Sequence, residues 1–95
     1  MRWVVHKLVL SERGQATIAA MPAESEILSV QLQRGVPTLW YKRPVEDRSI
    51  VDRTFVLIGT GHEHTDDLPI KYLGTVQMFS GGIVAHCFEI LPGRA

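Results

Sequence analysis

The sequence predicts an all-β fold, a small antiparallel sandwich or partly open barrel of six to seven short strands. Apolar residues alternate with polar ones at a period of two in several segments, the pattern of half-buried strands. These segments recur at short, even spacing with turn residues between them, as in sandwiches and small barrels. Apolar spacing at three and four never persists over a helix-length run, and no capping residue opens a periodic stretch.

Trp3 to Leu10 is the first predicted strand, broken by Ser11-Glu12-Arg13-Gly14. Gln15 to Ala19 is a short second strand closed by Met21-Pro22, and Ala23 to Ile27 has room for one helical turn. Ile27 to Gln33 alternates cleanly: Leu28, Val30 and Leu32 share one face and Ser29, Gln31 and Gln33 the other. Arg34-Gly35-Val36-Pro37 turns the chain into Thr38 to Lys42, where Leu39 and Tyr41 oppose Trp40, so the pair reads as a hairpin. Arg43 to Asp52 is polar, holds Pro44, and reads as an exposed connection. Arg53 to Ile58 has an unbroken Phe-Val-Leu-Ile run that implies burial on both faces. Gly59 to Pro69 is a second long loop. Tyr72 to Phe79 is the sixth strand, and Gly74 inside it signals a bulge or a close backbone approach. Ser80-Gly81-Gly82 turns into Ile83 to Leu91, with Val84, His86, Phe88 and Ile90 on one face. Pro92-Gly93 ends the fold and Arg94-Ala95 is a tail.

The 95 residues form one domain, 1–95, with a modest core. Ten basic and ten acidic residues cancel, so strong attraction to duplex DNA or RNA or to an anionic membrane is not expected. A near-neutral surface favours self-association, and a homo-oligomer is predicted. Seven of the ten cations are Arg, which suits a specific contact with carboxylate or phosphate. Cys87 is the sole cysteine, which excludes an internal disulfide and a cysteine-built zinc site. With no long apolar segment at the start, neither a signal peptide nor a spanning helix is expected, and the predicted compartment is the cytoplasm.

Several stretches, taken in order, carry a resemblance: Ile27-Leu28-Ser29-Val30-Gln31-Leu32-Gln33, then Gly35-x-Pro37-x-Leu39-Trp40 and Ile58-Gly59-Thr60-Gly61-His62. They are followed by Tyr72-Leu73-Gly74-Thr75-Val76-Gln77 and Gly82-x-Val84-x-His86-x-Phe88-Glu89. From about Met21 to Glu89 the chain resembles a family of small phage and prophage proteins described only as a domain of unknown function. The resemblance brings no catalytic residues. It implies a phage-encoded protein acting in a bacterial cytoplasm.

Gly59-Thr60-Gly61-His62 follows the fifth strand, where glycines can turn backbone N–H groups inward to cradle an anion. It is neither a Walker loop nor a dinucleotide fingerprint, since the required Lys, third glycine and helix are missing. Arg48 or Arg53 is the expected phosphate contact, and Trp40 or Tyr41 the expected stacking residue. His62-x-His64, with Asp66 and Asp67 behind, is the nearest approach to a metal cluster, but its spacing matches no recognised zinc motif. No metal and no cofactor are predicted. His86 on an apolar face reads as a satisfied core residue, and Cys87 as a small buried hydrophobe. Ser29, Ser49 and Ser80 sit in no nucleophile elbow. Glu46, Asp47, Asp52, Asp66 and Asp67 read as solvated charges. The expected function is therefore not enzymatic. It is capture of a small anionic host molecule, such as a cyclic nucleotide used as an immune signal. One alternative is a protein-interaction module anchored by Trp40, Tyr41 and Phe79, inhibiting a host protein or joining a phage assembly. The other is a metal-dependent hydrolase built on His62 and His64.

Overall fold

The computed structural model describes residues 2–12, 14–46, 49–65 and 69–92. Seven antiparallel strands run as β1 (Trp3–Val9), β2 (Thr17–Pro22), β3 (Glu26–Gln33), β4 (Val36–Pro44), β5 (Ile50–Gly59), β6 (Ile70–Met78) and β7 (Ile83–Ile90). They form a three-stranded sheet, β1-β4-β3, and a four-stranded sheet, β2-β5-β7-β6. The fold is thus a small all-β sandwich and not a closed barrel. Among the described residues no helix is long and apolar enough to cross a membrane.

Several predicted boundaries move because pairing, not composition, sets where a strand ends. β4 runs on through Pro44, which pairs with Trp3, and β5 starts at Ile50, which pairs with Pro22. The predicted connection from Arg43 to Asp52 is correspondingly shorter. Met21 and Pro22 are buried strand residues rather than a terminator. The proposed helical turn at Ala23 to Ile27 is a plain turn, closed by Ser25 N–H donating to the Pro22 carbonyl at 2.9 Å. The β3–β4 hairpin has a two-residue tip: Arg34 (φ 51°) and Gly35 (φ 79°) lie between the paired Gln33 and Val36. Two positive φ values match the twist of the flanking strands. The bulge signalled by Gly74 is present, as a register shift between Tyr72 and Gly74 against β7. It brings backbone close to the other sheet, since a Cβ on Gly74 would lie 3.3 Å from Val30 Cβ.

The core fills the space between the sheets. Val30, Leu39 and Tyr41 come from one sheet, and Met21, Phe55, Leu57, Val76, Met78, Ala85 and Cys87 from the other. Phe55, Val56 and Leu57 are all buried, as the unbroken apolar run implied. Val56 lies on the outer face, where its partner is Phe88.

One ion pair sits inside this layer. Arg53 and Glu89 both point toward the interior beside Phe55 and Cys87. Arg53 Nε and Nη2 donate to the two Glu89 carboxylate oxygens, each at 2.7 Å, a bidentate geometry that delocalised guanidinium favours. Arg53 Nη1 donates to the Ser25 carbonyl at 2.7 Å and approaches Met21 Sδ at 3.8 Å. One side chain therefore ties β5 to β7 and to the β2–β3 corner.

Removing one partner leaves a buried charge unpaired, so Glu89→Gln should lower the unfolding free energy by about 3–5 kcal/mol. The double substitution Arg53→Met with Glu89→Leu should recover most of that loss, because an apolar pair of similar volume has no charge to desolvate. Urea denaturation of the two variants measures both expectations.

Candidate functional site

Strand pairing fixes which residues share the outer face of the four-stranded sheet. β2 contributes Ile18 and Ala20, and β5 contributes Ile50, Asp52, Thr54, Val56 and Ile58. β7 adds Val84, His86, Phe88 and Ile90, and β6 adds Ile70, Tyr72, Thr75 and Gln77. An antiparallel sheet that faces water normally alternates polar-out. This face does the reverse. Ile18 is 65% exposed and Tyr72 58%, and Ile50 and Ile70 are also exposed. Asp52 is its single carboxylate, and no Lys or Arg shares the face among the described residues.

A polar chain crosses the middle of this apolar surface. Tyr72 Oη lies 2.6 Å from Thr75 Oγ1, Thr75 Oγ1 lies 3.0 Å from His86 Nδ1, and His86 Nε2 lies 2.8 Å from Thr60 Oγ1. Thr60 Oγ1 in turn donates to the Val84 carbonyl at 3.3 Å. That last bond sets the direction of the rest. The Thr60 hydroxyl gives its proton to Val84, so it accepts from Nε2–H. Nδ1 then accepts from Thr75, and Thr75 accepts from Tyr72. Each hydroxyl and both ring nitrogens are satisfied within the protein. The imidazole has no free nitrogen with which to exchange a proton with a substrate. His86 thus departs from the core placement expected of it: it is half-buried on the outer face, held by two threonines and a tyrosine. Tyr72 also packs edge-on against Phe88, with ring centroids 5.8 Å apart.

The Gly59-Thr60-Gly61-His62 loop stands at one end of this face, and it closes largely on itself. Thr60 N–H donates to the Val84 carbonyl at 3.0 Å and His62 N–H to the Gly59 carbonyl at 3.1 Å. The His62 ring lies over Gly59, where a Cβ would meet Nδ1 at 3.1 Å. Gly61 takes φ 84°, the conformation glycine supplies. Two of the N–H groups expected to cradle an anion are therefore already bonded. Gly59, Thr60 and His62 do line a recess of about 400 Å³ with Gly82, Ile83 and Val84, but no cation joins them there.

The remaining predicted contacts are scattered. Tyr41 is buried, in edge contact with His6 at 6.0 Å. Trp40 lies on the outer face of the opposite sheet, paired with Lys7 and Ser29. Arg53 is engaged by Glu89 and Ser25. Arg48, Asp66 and Asp67 lie outside the described residues, and among those described no three metal-ligating side chains converge. Cys87 is fully buried, as the sequence implied. Burial, reinforced by the Glu89 carboxylate, pushes its thiol up to about 11, so it is no nucleophile at neutral pH.

A family model described as "Domain of unknown function (DUF7352)" matches residues 1–93. The chain belongs to this family. The match includes the amino-terminal strand, beyond the segments that carried the resemblance, and it does not speak to a phage origin. No curated protein and no solved structure matches the chain.

Next to the loop, the β6–β7 connection of this DUF7352 chain carries a feature that alternation could not flag. Phe79 (φ 53°), Ser80 (φ 54°) and Gly81 (φ 88°) are consecutive residues in the left-handed region, closed by Gly81 N–H donating to the Met78 carbonyl at 3.2 Å. Only the third is a glycine. Phe79 is 77% exposed, so packing does not offset the strain. Strained, exposed aromatic residues recur at contact sites. Replacing Phe79 by Asn and Ser80 by Gly should raise the unfolding free energy by about 1–2 kcal/mol. Thermal and urea unfolding of the double variant checks this. An unchanged or lowered midpoint would mean that the turn is not strained.

Proposed function

We propose that this chain is a non-catalytic binding module that docks a protein partner on the outer face of its four-stranded sheet. The observation that carries the reading is the self-contained polar chain from Tyr72 through Thr75 and His86 to Thr60. Covering an apolar face stabilises a complex only if no buried polar group loses its partner. Here the polar groups at the centre are already bonded to one another, so a partner can exclude water from the region around His86 at little polar cost. The same closure argues against catalysis at His86. Asp52 specifies the partner's chemistry. A copy of the same face offers it no cation, so the fitting surface is an apolar patch of another protein flanked by Lys or Arg.

Photo-cross-linking tests this. A benzophenone side chain at position 18, where Ile18 is exposed outside the polar chain, should give a covalent adduct with a protein in expressing cells, whereas the same group at Gln31, on the outer face of the other sheet, should not. Combining position 18 with Asp52→Lys should cut the adduct yield at least about tenfold through like-charge repulsion. No adduct from position 18, or equal adducts from both positions, would remove the reading.

A second reading, capture of a small anion, rests on a different place from the glycine loop. A recess of about 420 Å³ is lined by Ser25, Glu26, Arg53 and Lys71; Arg53 is already bonded to Glu89 and Glu26 lies 3.6 Å from Lys42 Nζ, so Lys71 is the cation that would meet an anion there. The cationic edge would meet the phosphate of a nucleotide signal, in the phage-infected bacterial cytoplasm that the resemblance implies. Calorimetric titration with cyclic dinucleotides and ADP-ribose derivatives should then give heat that Lys71→Glu abolishes. Absence of heat with every anionic nucleotide sinks this second reading and leaves the first intact.

A further inference from the structure

The sandwich has four sheet edges, and three of them are closed to further pairing. β3 and β6 each carry a bulge, at Ile27/Ser29 and Tyr72/Gly74, and they lie along one another at the Val30–Gly74 contact. β2 is six residues long and ends in Pro22. Bulges, shortness, proline and charged side chains are the devices by which proteins keep an edge from acquiring another strand. β1 has only the last of these, in a single lysine, Lys7. Its seven residues pair with β4 in unbroken register, contain no proline, and carry one Lys. It is mostly apolar: Trp3, Val5 and Val9 face outward with Lys7, Val4 and Leu8 face the other way with His6, and all but Leu8 are exposed.

We infer that β1 is a seam at which two copies of this chain join, antiparallel about a two-fold axis at His6, to make one continuous six-stranded sheet. The strand's own sequence specifies a second copy as the occupant. About His6, Trp3 faces Val9 of the second copy, Val4 faces Leu8, and Val5 faces Lys7. Apolar groups meet apolar groups, and the single lysine of each strand meets a valine rather than its own copy. Lys7 is also held in place, its Nζ donating to Gln33 Oε1 at 2.6 Å. This seam is on a different sheet from the docking face, so it stands or falls independently of the function proposed above.

Charge at position 5 reads the register. Val5→Lys sets lysine against lysine twice across the axis, and Val5→Glu sets glutamate against lysine twice. Sedimentation equilibrium of the wild type should give twice the 10.6 kDa chain mass. Val5→Lys should raise the dissociation constant about tenfold or more, and Val5→Glu should leave it no weaker than wild type. Lys42 faces position 5 within one copy, so the urea midpoint of each variant is measured alongside, and dissociation of Val5→Lys must occur with the monomer still folded. A wild type that stays monomeric at micromolar concentration overturns the inference. So does a dimer equally indifferent to Lys and Glu at position 5, or one that is lost instead on Tyr72→Lys.

Discussion

The architecture turns on a charge held where a charge is expensive. Arg53 and Glu89 lie between the sheets with little exposure, 17% and 7% of their side chains. Desolvating two ions is unfavourable, and only good geometry with further hydrogen bonds offsets it. Both conditions hold here: the pair is bidentate, and the third guanidinium contact ends on the Ser25 carbonyl. The consequence is specificity of connection. The β2–β3 corner is where the chain leaves the four-stranded sheet for the three-stranded one, and Arg53 pins that corner to β5 and β7. Hydrophobic burial alone tolerates sliding of one sheet over the other. A directional contact with three partners does not.

Once the layers are pinned, the side-chain period of two decides everything about the outer face. On β7, Ala85, Cys87 and Glu89 go inward and Val84, His86, Phe88 and Ile90 go outward. The inward Ala85 and Cys87 are small and lie beside the larger Leu57, Val76 and Met78 of the neighbouring strands, across the core from Val30, Leu39 and Tyr41. The large ones are left outside, where they spread into an apolar surface. His86 lies among them because Thr60 and Thr75 reach it from the neighbouring strand end and strand. Satisfying both ring nitrogens with hydroxyls, rather than carboxylates, adds no charge at the centre of the face beyond Asp52.

Much of the scaffold was legible because its signals are local. Alternation located the strands, glycine marked the β3–β4 hairpin although its tip is only Arg34-Gly35 and Val36 and Pro37 already pair in β4, and Gly74 announced its bulge. The unbroken Phe55-Val56-Leu57 run announced a strand buried on both sides. The errors are equally physical. Pro44, Met21 and Pro22 read as breakers, yet cross-strand partners carry the strands through them. The face of β7 was ambiguous because both of its faces look apolar in the sequence, and the larger side chains suggested the core. The Arg53–Glu89 pair joins residues 36 apart, and no periodicity encodes a contact at that range. Arg53 reads in the sequence as a free cation because its partner Glu89 lies far along the chain. The Gly-Thr-Gly-His stretch was rightly placed at a strand end, but sequence could not show that its amides close on Val84 and Gly59.

The placement of the two association surfaces has a consequence of its own. β1 belongs to the three-stranded sheet and the apolar face to the four-stranded one, so joining copies at β1 covers none of the face around His86. A two-fold pair joined as proposed would therefore display two of the proposed docking faces, fixed in angle by a continuous sheet. Two rigidly linked sites bind a partner that is itself repeated far more tightly than either site alone, because the second contact forms at high effective concentration. That gain needs no stronger individual contact, which suits a face whose attraction is apolar and whose only charge is Asp52. It also sets a geometric demand: the partner's sites must match the spacing the seam imposes, and a partner with one site gains nothing from pairing. A small domain with a modest core can in this way obtain avidity from its edge and selectivity from its face, without enlarging either.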